Sequence, residues 1–470
     1  MIFQQRIIIW VVSLAIFMET LDTNILNTAI PAMAQSLHVH PIDLKIALIS
    51  YLLSLAIFIP ISGWVADKYG AKRVFIYALT VFTLSSIWCG FAQNLTGLVL
   101  ARVLQGLGGS LMIPVSRLIL LVNFKRHQYI GNMNRVIIVA AVGVMLGPLM
   151  GGLITHYFSW HWIFWVNIPM GLFTIVLAYF GLPSSSKKKV ASLDKLGFVL
   201  FGCGLACFTF ALSAFSESTI PQSDSLLILS IAVFLLLSYV WYSKNKINPI
   251  VKVELFRIRT FRISIMGNLL SRLGFGGVPF LLPLLLQIGL HYTPQLSGLL
   301  LAPLALGILV TKSFSLPLLR FLGYKRLLLG NTVVVGLSLM LFMLINEHTS
   351  IYFIGFMTFL FGLLISFQYS SMNSLAYSEI TSEDLSAATS IMSTTQQLAQ
   401  SFGVATVAIL LRLISLSSTA TLTTHTFHLT FLILGLFTVL STFIFLKLKP
   451  FDGAEMIRTV AANEDTEVIP

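Results

Sequence analysis

Fourteen stretches of roughly twenty apolar residues, each closed by a short polar or glycine-rich turn, restrict this chain to one kind of architecture. They run over about 7–31, 46–65, 74–93, 96–121, 132–156, 161–183, 195–215, 224–243, 262–288, 295–316, 325–346, 350–374, 386–414 and 427–447, numbered here as spans 1 to 14. A hydrocarbon layer of ~30 Å is crossed by ~20 helical residues, because a helix satisfies its own backbone polar groups. Barrel strands would need ~10-residue segments of alternating polarity, and the sequence has none. A soluble fold is excluded by composition: 57% of the 470 residues are hydrophobic and 10% charged, more apolar surface than a water-soluble core can hide. The expected fold class is an all-α polytopic membrane protein with 14 transmembrane helices.

The formal net charge of +12 raises the question of nucleic acid, and its distribution answers it. Bases gather at alternate ends of successive spans, as cytoplasmic retention of lysine and arginine requires. One side holds Lys68, Lys72, Arg73, Lys125, Arg126, Lys187–Lys189 and Lys195, then Lys244 to Arg259, Arg320, Lys325, Arg326, Lys447, Lys449 and Arg458; the other holds Lys45 and little else. No nucleic-acid partner is expected. Both termini are expected in the cytoplasm, in a bacterial cytoplasmic (inner) membrane. Arg6, the apolar run after it and Ala32-Met-Ala34 imitate a secretion signal. The run is too long for a signal core of ~7–15 residues and contains Glu19 and Asp22, so it is read as a retained span 1. Cys89, Cys203 and Cys207 lie within apolar runs and suggest neither a disulfide framework nor a metal site.

An internal repeat organises the chain. Gly70-Ala-Lys72-Arg73 after span 2 returns as Gly323-Tyr-Lys325-Arg326 after span 10, 253 residues later, with Arg320 standing where the first copy has Asp67. Two similar six-helix halves are a common transporter design. The expected layout is a bundle at 1–183, a linker with two inserted helices at 184–261, a second bundle at 262–447 and a tail at 448–470. Ser184-Ser-Ser-Lys-Lys-Lys189 reads as a solvated part of that linker.

Four stretches carry candidate chemistry. The turn between spans 2 and 3, Gly63-Trp-Val-Ala-Asp67-Lys68-Tyr-Gly70-Ala-Lys72-Arg73, packs one acid and three bases between glycines that permit close approach and an unusual turn. Its plain alternative is a solvated charged turn. In span 1, Glu19 and Asp22 are the acids placed well inside a span, three residues apart and so on one helix face, with Asn27 further along. Ionised carboxylates at mid-bilayer are costly and call for a wet cavity or a base; a proton or substrate site and a structural pair with an arginine both fit. In span 4, Arg102 needs a partner, and Gln105 follows three residues on. Contact with Asp22 or Glu19 would make the pair a proton-sensitive switch, the alternative being snorkelling to the interface. In span 5, Gly143, Gly147, Gly151 and Gly152 make one smooth face beside the bend at Pro148. The Ser159–Gly171 stretch, rich in tryptophan and including Asn167, reads first as an interfacial anchor, with substrate contact as the alternative. Arg272, about ten residues into span 9, is expected to line the cavity or pair with a span-1 acid. Lys312 and Arg320 read as snorkelling, and Gln368, Asn373, Gln396, Gln397 and Gln400 as interhelical hydrogen-bonders. Eight of the nine histidines fall on the expected outer side, where a mostly neutral base escapes the exclusion of lysine and arginine.

Together these motifs resemble the major facilitator superfamily, and within it the fourteen-span drug:proton antiporters, nearest to their MdtD-like bacterial branch. Phe256-Arg-Ile-Arg-Thr-Phe261, Leu286-Gln-Ile-Gly-Leu290 and Ser370-Ser-Met-Asn-Ser374 carry the likeness to that branch. The resemblance implies the major facilitator fold, and a transporter rather than an enzyme. It implies a cytoplasmic gate at Gly63, Asp67, Lys68, Gly70, Lys72 and Arg73 that latches the two halves. It further implies proton handling by Asp22 and Arg102, and an exporter-type antiporter motif at Gly143, Gly147, Pro148, Gly151 and Gly152 that acts as a pivot face. Glu19, Asp22, Asn27, Arg102, Gln105 and Arg272 are the expected proton-coupling and cavity residues. The function expected is proton-coupled export of amphipathic small molecules by alternating access, by a monomer in the lipid bilayer, with protons as coupling ion and no other cofactor. Export of a specific anionic metabolite, siderophore or metal chelate is the runner-up, favoured by Arg102 and Arg272; uptake symport comes third.

Overall fold

The computed structural model describes residues 2–124, 126–183, 190–215, 221–381, 383–416 and 422–454. Lys125, the Ser184–Lys189 run and the tail beyond 454 lie outside the described residues, as do the side chains of Arg126, His127 and Lys312. Among the described residues fourteen helices are long and apolar enough to cross a membrane: Gln4–Thr28, Lys45–Tyr69, Ala71–Gly90, Leu95–Asn123, Gly131–Tyr157, Trp162–Gly181, Lys195–Ala214, Gln222–Ser243, Arg259–Gly289, Pro294–Thr311, Pro317–Leu344, Ile351–Tyr377, Leu385–Ser415 and Thr424–Phe445. They are the expected spans in the expected order.

The spans are less regular than the apolar runs imply, and the irregularities have local causes. Span 1 is α-helical over Ile2–Ile25, tightens to a 3₁₀ turn at Leu26–Thr28 and resumes over Ile30–Ser36. Pro31 has no N–H to offer the carbonyl of Asn27. Span 6 breaks between Trp162–Trp165 and Asn167–Gly181 for the same reason, since Pro169 cannot donate to Trp165. Span 9 is α-helical over Arg259–Phe275, loosens at Gly276-Gly277, and ends in a π turn at Leu285–Gly289 after Pro283.

Contacts divide the chain into two compact units, one made of Met1–Tyr239 with Pro279–Ala302, the other of Val240–Val278 with Pro303–Pro470. In the first, Val11, Val12, Phe75, Phe82 and Leu120 pack into one buried core. Span 7 lies on span 2, with Phe198 5.7 Å from Phe58 between ring centroids and the Trp64 indole donating to the carbonyl of Ala191 at 2.8 Å. In the second unit, Phe342 stacks on Phe431 at 5.2 Å and meets Phe361 edge-on at 5.8 Å. A second buried cluster there surrounds Tyr324, Leu328 and Met372.

The repeat is visible in the backbone. Left-handed φ values occur among the described residues at His38 (54°), Gly70 (92°), His291 (55°), Gly323 (69°) and Gly453 (74°). His38 and His291 are separated by 253 residues, as are Gly70 and Gly323. Each half therefore leaves its first span through a left-handed histidine and turns its elbow on a left-handed glycine, a conformation that costs other residues about 1–2 kcal/mol.

Candidate functional site

The polar centre of the first unit is assembled from five spans. Glu19 and Asp22 project from one face of span 1, and Arg102 and Gln105, also three apart, project from span 4. Span 4 can lie close to its neighbours because it is notched. A Cβ on Gly106 would sit 2.7 Å from the Tyr51 carbonyl, and one on Gly108 2.8 Å from the backbone of Ala78 and Phe82. The close approach carries Arg102, wholly buried, to Asp22, which is 1% exposed.

Arg102 Nη1 donates to Asp22 Oδ2 at 2.6 Å and to Gln105 Oε1 at 2.7 Å, while its Nε reaches the Ala47 carbonyl at 3.4 Å. Its guanidinium carbon lies 4.1 Å from the centre of the Tyr51 ring. Nη2 has no hydrogen-bond partner among the described residues. Asp22 Oδ1 accepts from Gln105 Nε2 and from Asn167 Nδ2, both at 2.8 Å. Those two amides converge on the Ser86 hydroxyl, at 3.3 and 3.1 Å, and Ser86 donates to the Phe164 carbonyl at 2.9 Å. The carboxylate thus receives three donors, one of them charged, in a site closed to solvent. That arrangement offsets the desolvation that an ion pair suffers on burial.

Glu19 stands apart from this pairing. Its Oε1 receives only long contacts, from Tyr51 at 3.4 Å and Thr23 at 3.5 Å, and no base lies in ion-pair range among the described residues. The Tyr51 side chain links the two acids, its hydroxyl on Glu19 and its ring under Arg102.

Other expected site residues fall elsewhere. Asn27 is buried but bonds locally, to the Asn24 carbonyl at 3.3 Å, in the bend of span 1. Arg272 lies in the second unit. Its guanidinium lies 4.0 Å from the Tyr369 ring and donates to the Gln396 carbonyl at 3.3 Å. Gln368 bonds Asn331 and Thr332 across to span 11, and Gln396 donates to Asn373 at 2.7 Å.

The glycines of span 5 face span 1. A Cβ on Gly143 would collide with Thr20, on Gly147 with Asn24, and on Gly151 with Ile25 and Thr28. Thr28 also bonds the Pro148 carbonyl at 3.3 Å, and Gly152 lies against Pro294 and Gly298 of the same unit. In the elbow, Lys68 stacks on Trp64 at 4.4 Å. Lys72 caps the end of span 6 through the Leu182 carbonyl at 2.6 Å, and Arg73 is exposed. A Cβ on Gly63 would meet nothing within 4 Å among the described residues; Gly63 is exposed, and the left-handed turn falls at Gly70.

Two members of the centre, Ser86 and Asn167, escaped the sequence reading. A serine within an apolar run carries no signal of its own, and the tryptophans around Asn167 pointed to an anchor. The available signal was Asn167 two residues before Pro169, a polar amide at a helix break inside a span.

The Major Facilitator Superfamily model matches residues 12–404 and, in a second match, 264–464. A protein of Enterobacter sp. (strain 638) named "Putative multidrug resistance protein MdtD" is 36% identical over 403 residues, covering 86% of this chain and 85% of its own length. "Probable transport protein HsrA" of Haemophilus influenzae (strain ATCC 51907 / DSM 11121 / KW20 / Rd) is 36% identical over 445 residues, covering 94% and 96%. Among solved structures, that of the POT family transporter PepTSo is similar in fold, with a TM-score of 0.71 at 13% identity, covering 96% of this chain and 98% of that one.

Proposed function

The chain belongs to the major facilitator superfamily, and from that premise we propose that it is a proton-driven exporter of amphipathic small molecules working by alternating access. It is a multi-pass membrane transporter and not an enzyme; the coupling ion, the direction and the cargo are the proposal. The observation that carries it is the buried Asp22–Arg102 pair, an acid and a base joined at 2.6 Å inside a membrane-spanning unit. A proton on Asp22 weakens the hold of Arg102, and its departure restores the pair, so the two states of the carboxyl favour different helix arrangements. One proton moving through the membrane potential supplies about 2.3 kcal/mol per 100 mV. At ~1.4 kcal/mol per tenfold, that supports roughly a fortyfold gradient of cargo at 100 mV. The name of the Enterobacter relative supports amphipathic drugs as cargo. The proposal retains two bundles, 1–183 and 262–447, joined through 184–261, with both termini in the cytoplasm of a bacterium, the Gly63–Arg73 elbow as cytoplasmic gate and the span-5 glycines as antiporter motif.

A second reading has its own observation. Arg272 is 7% exposed and has no acid in ion-pair range among the described residues, so an anionic cargo such as a carboxylate metabolite or metal chelate would meet an uncompensated cation. Transport into everted vesicles under an imposed pH gradient, with cationic dyes compared against iron chelates, decides between the two. Asp22→Asn is expected to abolish gradient-driven accumulation of either cargo; full retention would remove Asp22 from the mechanism.

A further inference from the structure

The hydrogen bonds around Asp22 can be assigned donor by donor, and the assignment leaves one side chain able to turn. Ser86 gives its proton to the Phe164 carbonyl, so it offers lone pairs to Gln105 and Asn167. Asp22 as a carboxylate only accepts. Both amides must therefore direct their NH₂ groups inward. Gln105 is also fixed at its other end, where Oε1 accepts from Arg102 Nη1 at 2.7 Å and faces Cys89 Sγ at 3.6 Å. Turning it would set N–H against a guanidinium N–H. Asn167 has no such tie: it is fully buried, and its Oδ1 makes no hydrogen bond among the described residues.

A proton on Asp22 Oδ2 would face Arg102, which cannot accept. A proton on Oδ1 keeps the Arg102 bond to Oδ2, provided that one of the two amides becomes an acceptor. From this we infer that Asn167 is the positioning residue that reads the protonation state of Asp22, donating through Nδ2 to the carboxylate and rotating to accept the acid's O–H through Oδ1. The turned amide also presents oxygen to Ser86, whose hydroxyl then swings from the Phe164 carbonyl to Asn167. Phe164 keeps its backbone partner, the Val166 N–H, but loses its side-chain partner at the break between Trp162–Trp165 and Asn167–Gly181. Proton arrival on span 1 is thereby felt at the discontinuity of span 6. The titratable and charged groups around Asp22 are Glu19 from its own span, Tyr51 from span 2, Cys89 from span 3 and Arg102 from span 4. Among the described residues Glu19 bonds no side-chain amide and Cys89 reaches the centre through Gln105, so neither substitutes for Asn167 in this exchange.

The inference rests on the proton-coupled reading of Asp22, and the test separates the two. The full chain, reconstituted in lipid, is examined by acid-minus-alkaline infrared difference spectroscopy. A carboxylic-acid band lost in Asp22→Asn, together with a side-chain amide band lost in Asn167→Leu, is the expected result. Asn167→Gln, which keeps both donor and acceptor, should shift that amide band in frequency and retain it, and it provides the readout if the leucine variant does not fold. The midpoint of transport against pH should also rise by about one unit in Asn167→Leu, the difference between a hydrogen bond to the carboxylate and one to the neutral acid. A carboxyl band with no amide band assignable to residue 167, or an unmoved midpoint, overturns the role of Asn167 and leaves the proton reading standing. Absence of any carboxyl band from Asp22 overturns that reading, and this inference with it.

Discussion

Counting 253 residues on from Glu19 leads to Arg272, so the same register that pairs the two elbows sets an acid in the first unit against a base in the second. The first unit joins Asp22 to Arg102, with Gln105, Asn167, Ser86 and Tyr51 around them, and leaves Glu19 to two hydroxyls. The second buries a base against an aromatic ring and a carbonyl, among neutral amides that bond one another. The backbone is repeated and the chemistry is not. A duplicated scaffold can thus hold an acid–base pair in one half and, among the described residues, a cation without an acid partner in the other, which is the division of labour expected if one half handles protons and the other meets cargo.

The comparison is most exposed at Arg102. Arg102→Met strands Asp22 as a buried, unpaired charge and should lower stability by about 3–5 kcal/mol, read as thermal unfolding in detergent. Adding Asp22→Asn should recover most of that stability while gradient-driven transport stays lost. A double variant no more stable than the single one would show that the pair is not what holds this centre together. The shared backbone gives the next effect: Gly70→Ala and Gly323→Ala should each cost about 1–2 kcal/mol, and by similar amounts in the two units, whereas Gly63→Ala should fall within about 0.5 kcal/mol of the parent. Unequal costs at 70 and 323 would mean that the elbows are alike in sequence only.

Arg272→Met should leave stability unchanged or raise it by about 1 kcal/mol, since an uncompensated buried charge is replaced by an apolar chain. Its transport should keep the parent's pH profile. A displaced profile would break the comparison by making the second unit a participant in proton handling. The smallest effect is at His161, just before span 6, where partial burial holds the imidazole below its ordinary value. The folded protein disfavours the charged ring, so stability is complete above the unfolded value of about 6.5 and falls as pH drops through it. His161→Phe, which keeps the stack on Trp160 at 3.8 Å, should lose less thermal stability than the parent between pH about 7.5 and about 5.5.

Apolar run length made all fourteen spans legible, because hydrocarbon thickness imposes it directly. Asp22 and Arg102 were legible as residues, because charges inside spans are costly enough to demand a partner. That they choose each other was not, since three spans bearing ionisable groups admit several pairings and sequence spacing fixes faces only within one helix. Ser86 and Asn167 went unseen because neutral polar groups cost little in a span until their neighbours are known. Which glycine of the elbow takes the left-handed turn was not legible either: it is Gly70 and not Gly63, seven residues earlier. The breaks in spans 6 and 9 were present as Pro169, Gly276-Gly277 and Pro283, and a reading by hydrophobic length passes over them.

The glycine stripe on span 5 sets a tolerance for the whole centre. With side chains missing at 143, 147 and 151, the two rods lie at backbone distance, and the position of span 1 is fixed from behind by what those residues lack. One added methyl group there would wedge span 1 off its seat and change the gap between Asp22 and a guanidinium mounted on a different rod. The chemistry of the centre is therefore dimensioned by three hydrogens on its far side, where no reacting atom is ever present.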